Sequence, residues 1–188
     1  MKKIVIIMVI SLFIFTGCSV KRTEEVSDAE IFASEYAISK NNVFKYATFD
    51  DVKTILTSGT EILFFGDSDL DSSLNTVKLF SEVLKNTDIK RVYYYDPITI
   101  KDEKSEKYLE LLELLDGNLT IDEDDENNKG YLTVPSVYFI RNGNVIGYTD
   151  RVVQSSEDNV ITDVAIEELK QDYLELINLY LNSCNEDA

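Results

Sequence analysis

The segment TVPSVYFIRNGNVIG, residues 133–147, carries the clearest structural signal in the chain. Residues 134–140 are mostly apolar and predict a strand. Asn142-Gly143 is the strongest short signal for a two-residue hairpin turn, because both residues tolerate a positive φ. Residues 145–148 predict the returning strand. The segment therefore indicates an antiparallel hairpin that is entered through Pro135.

Helices and strands alternate on the N-terminal side of this hairpin. Ser27 with Glu30, and Thr48 with Asp51, are capping boxes that predict helix starts. Residues 62–65 form an apolar run typical of a strand buried on both faces. The predicted order is a helix at 27–40, a strand at 43–47, a helix from 48 to Gly59, a strand at 62–65, a helix at 74–84, a strand at 89–95, a helix at 103–115, an exposed acidic loop at 116–130, the hairpin, and a helix at 163–182. This order predicts an α/β sandwich around one central sheet.

Composition narrows the classes of function. The formal net charge of −17 over 188 residues makes nucleic acid an unsuitable partner, because a polyanion needs a basic face. The chain has no histidine, which removes the commonest general base and metal ligand. Catalysis by a serine–histidine or cysteine–histidine pair is therefore excluded, and no motif predicts a cofactor.

The first residues predict a removable leader rather than part of the fold. Lys2 and Lys3 precede a nearly continuous apolar stretch at 4–15, whose length suits a signal peptide and is short for a membrane-spanning helix. Phe15-Thr16-Gly17-Cys18 resembles the cleavage signal of bacterial lipoproteins, although that family usually has leucine where Phe15 stands. The alternative is an ordinary signal peptide with a chance cysteine.

The lipoprotein resemblance implies a specific organisation. Residues 1–17 would be the signal peptide, Cys18 the lipidated first mature residue, 18–26 an anchor and tether, 27–184 the domain and 185–188 a tail. Removing both leader lysines and no acidic residue takes the net charge from −17 to −19. Acyl chains on Cys18 would therefore have to hold the protein on the extracytoplasmic face of the cell membrane, since its charge would be repelled by anionic lipids.

Cysteine count limits redox chemistry. Cys18 and Cys184 are the two cysteines, so lipidation of Cys18 leaves Cys184 alone. A single thiol cannot run dithiol–disulfide exchange within one chain. Cys184 continues the apolar stripe of the last predicted helix, which favours a small core residue over a reactive thiol.

Two stretches resemble the thioredoxin fold. In thioredoxins a valine–proline pair with a cis bond leads into an apolar strand, a glycine turn and a returning strand, and residues 133–147 are similar in type and spacing. EILFFGDSDLDSS, residues 61–73, is similar to the family's strand and turn before Cys-X-X-Cys. The resemblance covers about residues 43–182 and implies a three-layer sandwich, with helices on both faces of a central mixed sheet. The chain looks closest to the extracytoplasmic thioredoxin-like proteins of Gram-positive bacteria, including bacteriocin-transport accessory proteins.

The chain departs from that family at its reactive positions. Counting from Phe65, the two family cysteines fall at Leu70 and Ser73. Leucine offers no nucleophile, and Ser73 has no activating base nearby in sequence. The resemblance also implies a groove beside Val134 and Pro135 that holds an extended segment of a partner. The alternative is that a cis proline only shapes the turn into the strand.

Asp67, Asp69 and Asp71 allow three interpretations. The favoured one is that Asp69, Asp71 and Ser72 cap the helix that follows. Asp67 and Asp69 are also similar to the opening motif of haloacid-dehalogenase phosphatases, where they would be nucleophile and acid/base beside magnesium, but Asp71 breaks that motif. All three match EF-hand positions one, three and five, but Lys78 stands where the bidentate glutamate belongs.

The acidic run at 122–126 predicts a solvated loop, with loose calcium binding as the alternative.

Three functions remain open. The first is a lipid-anchored, redox-inactive domain that binds a protein or peptide, as an accessory to a transport or envelope system. The second is an oxidoreductase-family role that uses Cys184 or a thiol of a partner. The third is magnesium-dependent phosphoryl transfer through Asp67 and Asp69.

Overall fold

The computed structural model describes residues 26–121, 130–152 and 163–185. The predicted signal peptide, Cys18, nearly all of the tether, the acidic run at 122–126 and residues 186–188 lie outside these ranges. Within the described ranges, no helix combines the length and the apolar character needed to cross a membrane.

The strands form one main sheet and one small sheet. In chain order they are β1 (Phe44–Tyr46), β2 (Glu61–Phe65), β3 (Val92–Tyr95), β4 (Thr120–Ile121), β5 (Gly130–Tyr131), β6 (Ser136–Arg141) and β7 (Asn144–Thr149). The main sheet has the order β1-β3-β2-β6-β7, and β4 pairs with β5 separately. Strands β1, β3 and β2 run parallel, whereas β6 and β7 are antiparallel to their neighbours.

Helices cover both faces of the main sheet. They are α1 (Asp28–Glu35), α2 (Phe49–Ser58), α3 (Asp71–Leu84), α4 (Ile98–Asp102), α5 (Glu106–Leu114) and α6 (Asp163–Asn185). Buried side chains of α1, α3 and α6 form one core with the sheet, and those of α2 and α5 form the other. The predicted fold class is confirmed: the protein is a thioredoxin-like α/β sandwich around a mixed sheet.

Strand β2 shows why the sheet lies in the middle. Its side chains alternate between the two cores, so Ile62 and Phe64 face α3 and α6, while Leu63 and Phe65 face α2 and α5. Successive side chains of a strand point to opposite faces, and a strand covered on both faces therefore reads as an unbroken apolar run. The prediction from residues 62–65 is confirmed.

The local signals for turns and helix starts are also confirmed. Both capping boxes form, at Ser27 with Glu30 and at Thr48 with Asp51. Asn142 and Gly143 have φ values of 49° and 76°, as a type I′ turn requires. The N–H of Gly143 donates a hydrogen bond of 2.8 Å to the carbonyl of Gly59, which fastens the hairpin to the end of α2.

Helix α1 ends at Glu35 and not near Lys40 as predicted. Ala37 takes a positive φ of 52°, and the N–H of Ile38 donates to the carbonyl of Ala33 at 3.2 Å. This is the Schellman closure of a helix, which glycine usually makes. The sequence has alanine there, so the usual stop signal is missing.

Four other boundaries differ from the prediction. Strand β3 begins at Val92 and not at Ile89, because pairing with the short β1 starts at Phe44 opposite Val92. The predicted helix at 103–115 is shorter and is preceded by α4, since Lys104 has a positive φ of 47° and Ser105 caps α5. The ends of the predicted 116–130 loop pair as β4 and β5, and α6 continues beyond 182 to Asn185.

Candidate functional site

The two stretches that resemble the thioredoxin fold, residues 61–73 and 133–147, meet at one edge of the main sheet. Phe65, the last residue of β2, lies opposite Ser136 of β6 on one side and Tyr95 of β3 on the other. The N–H of Gly66 donates to the carbonyl of Tyr95 at 3.3 Å. Residues 66–70, 96–97 and 133–135 therefore adjoin one another, and we call these three segments the upper edge.

The two positions that match the family's thiols differ sharply in exposure. Leu70 is the N-cap residue of α3, and 38% of it is exposed. Ser73, one turn later, is fully buried, and its hydroxyl accepts the N–H of Asp67 at 3.2 Å. An apolar side chain thus stands at the accessible position, and the buried hydroxyl serves to hold the turn.

The prediction that aspartates cap α3 is wrong. The N-cap residue is Leu70, and no side chain there accepts a hydrogen bond from the first helical turn. The carboxylate of Asp67 instead accepts the N–H of Asp69 at 2.9 Å, so the turn folds back on itself before the helix begins. Asp71 lies in the first turn, where its charge still interacts favourably with the helix dipole.

The aspartates do not assemble a metal site with other residues of the described part of the chain. No group of three or more histidine, cysteine or carboxylate side chains that could hold an ion occurs within it. Asp67 already uses one carboxylate oxygen on the Asp69 amide. The geometry therefore gives no support to magnesium-dependent phosphoryl transfer or to a calcium loop at these residues.

The loop before β6 leaves backbone groups available. The Val134–Pro135 peptide bond is cis, and Pro135 is buried. The carbonyl of Thr133 accepts the Ser136 hydroxyl at 2.7 Å. Val134 is only partly buried, and in the described ranges neither its N–H nor its carbonyl takes part in a hydrogen bond. Strand β6 starts only at Ser136 because proline has no N–H to offer its neighbour.

Side-chain contacts hold this loop from behind. The hydroxyls of Thr133 and Thr120 are 2.5 Å apart, and Thr120 donates a hydrogen bond of 2.6 Å to Asp150. The ammonium of Lys101 donates to the carbonyl of Leu132 at 3.1 Å. The small β4–β5 sheet, α4 and the end of β7 thus fix the position of Val134.

Carboxylates make the upper edge negative. Asp96 follows β3, and its carboxylate accepts the N–H of Ile98 at 2.8 Å. Loss of hydration raises the pKa of Asp96 above its ordinary value, and the charges of Asp67 and Asp69 raise that pKa further. The parallel pairing of β2 with β3 places these carboxylates at the same edge of the sheet.

Asp96 is the site residue that the sequence interpretation missed. Parallel strands end at the same edge of a sheet, so an acidic residue directly after β3 belongs beside one directly after β2. The signal was present in Tyr95-Asp96-Pro97, but it becomes meaningful only when β3 is placed next to β2.

Cys184 lies away from the upper edge. It is half-buried and unpaired with another cysteine in the described ranges. Burial, and then the neighbouring Cys184 thiol, raises the pKa of Tyr180, whose hydroxyl donates to the carbonyl of Thr60 at 3.2 Å. Thr60 precedes β2, whereas Leu70 and Val134 adjoin its far end. Cys184, which was predicted to be a small core residue, is thus only half-buried, and its thiol lies at the opposite edge of the sheet.

Comparisons with family models, with curated proteins and with solved structures found no match to this chain.

Proposed function

We propose that this protein is a redox-inactive, thioredoxin-like domain that binds an extended peptide segment at the upper edge. In this proposal a lipid on Cys18 holds it to the extracytoplasmic face of the cell membrane, where it acts as an accessory to a transport or envelope system. The observation that carries the proposal is the backbone of Val134, beside the cis Pro135, which has no hydrogen-bond partner among the described residues.

Main-chain pairing supplies the binding mode. An extended peptide presents its own N–H and carbonyl, and one residue of it would satisfy both free groups of Val134. Each such hydrogen bond contributes about 0.5–1.5 kcal/mol net. Leu70, exposed on the far side of the turn, and Tyr131, 41% exposed just before the loop, offer apolar surface to the side chains of the peptide.

Charge selects the kind of peptide. Asp67 and Asp69 follow β2, and Asp96 follows the neighbouring strand β3, so three carboxylates make the upper edge negative. An acidic groove attracts lysine and arginine and repels acidic segments. The expected partner is therefore an extended segment in which apolar residues alternate with basic ones.

The residue at the exposed one of the two positions that match the family's thiols also argues against thiol exchange as the activity. Leu70 has no sulfur, and Cys184 lies near Tyr180 at the other edge of the sheet. A mixed disulfide formed on Cys184 would leave the Val134 groove unused. These positions favour the binding role over the oxidoreductase role.

Selection of peptides on the full chain tests this proposal. A phage library of random dodecapeptides is selected on the immobilised protein, and enriched sequences are synthesised and titrated by calorimetry. We expect basic, extended peptides, whose affinity falls about tenfold, or 1.4 kcal/mol, when Leu70→Lys replaces the apolar contact with a charge that repels them. N-methylation of the paired peptide residue should weaken binding similarly, because it removes the donor to Val134.

A matched control separates the groove from general charge effects. Leu174 is 36% exposed on α6, beside Val83 and Asn86 at the end of α3 opposite Leu70, so Leu174→Lys adds the same charge away from the groove and should leave the affinity unchanged. Enriched peptides that bind Leu70→Lys as tightly as the native protein would place the binding surface elsewhere and contradict the proposal.

A further inference from the structure

A cavity of about 350 Å³ lies on the other edge of the main sheet. It is enclosed by the segment between α1 and β1, the second half of α3, and the segment that leads into β3. The parallel strands β1 and β3 begin here, whereas the upper edge lies where β2 and β3 end. The cavity is therefore separate from the proposed peptide groove.

One wall of the cavity is apolar. Phe44, Leu84 and Ile89 are almost completely buried side chains of the core, and Ile38 and Val43 pack against that core from the rim. All five line the cavity. Hydrocarbon placed against this wall would gain about 25 cal/mol for each Å² of apolar surface removed from water.

The lining of the cavity also carries basic groups, which is unusual in a chain with a net charge of −17. Lys78, Lys85 and Lys90 line the cavity. Within the described ranges Lys78 and Lys85 have no ion-pair partner, and Lys90 has only Asp88, 3.7 Å away. These lysines are exposed, so their ammonium groups are available to a ligand.

The one acidic residue on the wall does not neutralise them. Glu82 lines the cavity, but its carboxylate lies 3.6 Å from the ammonium of Lys170, which is outside the lining. The excess of positive charge therefore remains on the cavity side. Lysines act as point charges for phosphate and other anions, and three of them in one rim are suited to such a group.

Neutral polar groups complete the wall. The hydroxyl oxygen of Ser81 is sheltered from water and has no hydrogen-bond partner among the described residues. Leaving a buried hydroxyl unpaired costs about 1–3 kcal/mol, so a polar ligand atom that Ser81 reaches by a rotamer change would remove that penalty. The side-chain amide of Asn42 is already used on the carbonyls of Ala29 and Ser39, and it shapes the rim instead.

We propose that this cavity binds a small amphiphilic anion, a phosphate monoester attached to a short hydrocarbon chain. The hydrocarbon lies against the apolar wall and the phosphate lies among Lys78, Lys85 and Lys90. A volume near the lower end of the ligand-pocket range, about 300–1,000 Å³, limits the occupant to a small molecule or to the head of a larger one. A free alkyl phosphate and the headgroup of phosphatidic acid share this chemistry.

Titration with hexyl phosphate tests the inference. The full chain is held in nanodiscs of zwitterionic lipid, and binding is followed by calorimetry and by the NMR shift of the Ser81 amide. We expect saturable binding, with inorganic phosphate and hexanol each binding at least about tenfold more weakly, because each reaches only one wall. Competition by dihexanoyl phosphatidic acid would identify a lipid headgroup as the source, and absence of that competition would identify a single-chain anion.

Paired charge variants decide whether the lysines hold the anion. Lys78→Gln/Lys85→Gln should weaken hexyl phosphate about tenfold or more. Lys104→Gln/Lys107→Gln removes the same charge at exposed positions around α5 and should change nothing. The peptide-groove variant Leu70→Lys should also bind hexyl phosphate normally. Equal loss in both lysine pairs, equal affinity for inorganic phosphate, or no saturable binding would overturn the inference.

Discussion

Phe64→Ala is expected to lower the free energy of unfolding by about 3–5 kcal/mol. Phe64 is fully buried in β2, the middle strand of the sheet. Its ring packs against those of Phe44, Tyr36 and Tyr94, with centroid separations of 6.1, 6.2 and 5.9 Å. Truncation removes apolar burial and leaves a cavity among rings that cannot close over it.

A loss of that size is a large share of the total free energy of unfolding, which is typically about 5–15 kcal/mol for a domain of this kind. Urea unfolding followed by far-UV circular dichroism measures it, since the chain has no tryptophan to report by fluorescence. Leu109→Ala, at an exposed helical position, should stay within about 0.5 kcal/mol of the native protein. A change below about 1 kcal/mol for Phe64→Ala would mean that the two cores are not arranged around β2 as described.

Gly143→Ala is expected to lower the free energy of unfolding by about 2–4 kcal/mol. Gly143 has a φ of 76°, which alanine adopts at a penalty of about 1 kcal/mol. An added Cβ would also lie 2.3 Å from the carbonyl oxygen of Thr57, a backbone atom of α2 that cannot move aside alone. The hairpin must then shift, and the hydrogen bond from Gly143 to Gly59 is weakened.

Gly117 provides the matched control for this substitution. Its φ of 78° is nearly the same, but no atom lies within 4 Å of the position where a Cβ would be added. Gly117→Ala should therefore cost only the conformational part, about 1 kcal/mol. The same unfolding measurement compares the two variants. Equal losses would show that close packing of the hairpin on α2 contributes nothing to stability.

Most of the helices and strands that could be predicted from the sequence are marked by short stretches of residues. Capping boxes at Ser27 and Thr48 and the turn at Asn142-Gly143 each involve residues within a few positions of one another, so their geometry can be recognised without the fold. The run at 62–65 similarly reports burial on both faces. These elements in order predict an α/β sandwich around one central sheet, and the resemblance to thioredoxins adds the mixed sheet with helices on both faces.

The boundaries and the site depended on contacts between distant residues. Ala37 ends α1 although alanine favours helices, because it takes a positive φ and lets the N–H of Ile38 donate to the carbonyl of Ala33. Leu70, and none of the good capping residues around it, stands at the N-cap of α3, since Asp67 is engaged by Asp69 and Ser73. Asp96 joins Asp67 only through the pairing of β2 with β3, which no single stretch of sequence specifies.

The cavity that Lys78, Lys85 and Lys90 line also depends on contacts between residues that are distant in sequence. Lys78 and Lys85 lie on α3, and Lys90 follows it by a short segment. Each reads as an ordinary surface lysine in an acidic chain. The lining that combines these lysines with the apolar wall exists only because the segments that precede β1 and β3 close together over the end of the sheet.

Insulin reduction in the presence of dithiothreitol tests the central proposal, that a thioredoxin-like edge here lacks thiol chemistry. Leu70 and Ser73 occupy the N-cap and the third position of α3, with the same spacing as the two cysteines of Cys-X-X-Cys. The native protein should not exceed the uncatalysed rate. Leu70→Cys/Ser73→Cys should form a reducible disulfide and gain turnover, because the helix start lowers the pKa of an exposed thiol. Native turnover comparable to that of a thioredoxin, lost in Cys184→Ala, would contradict the account.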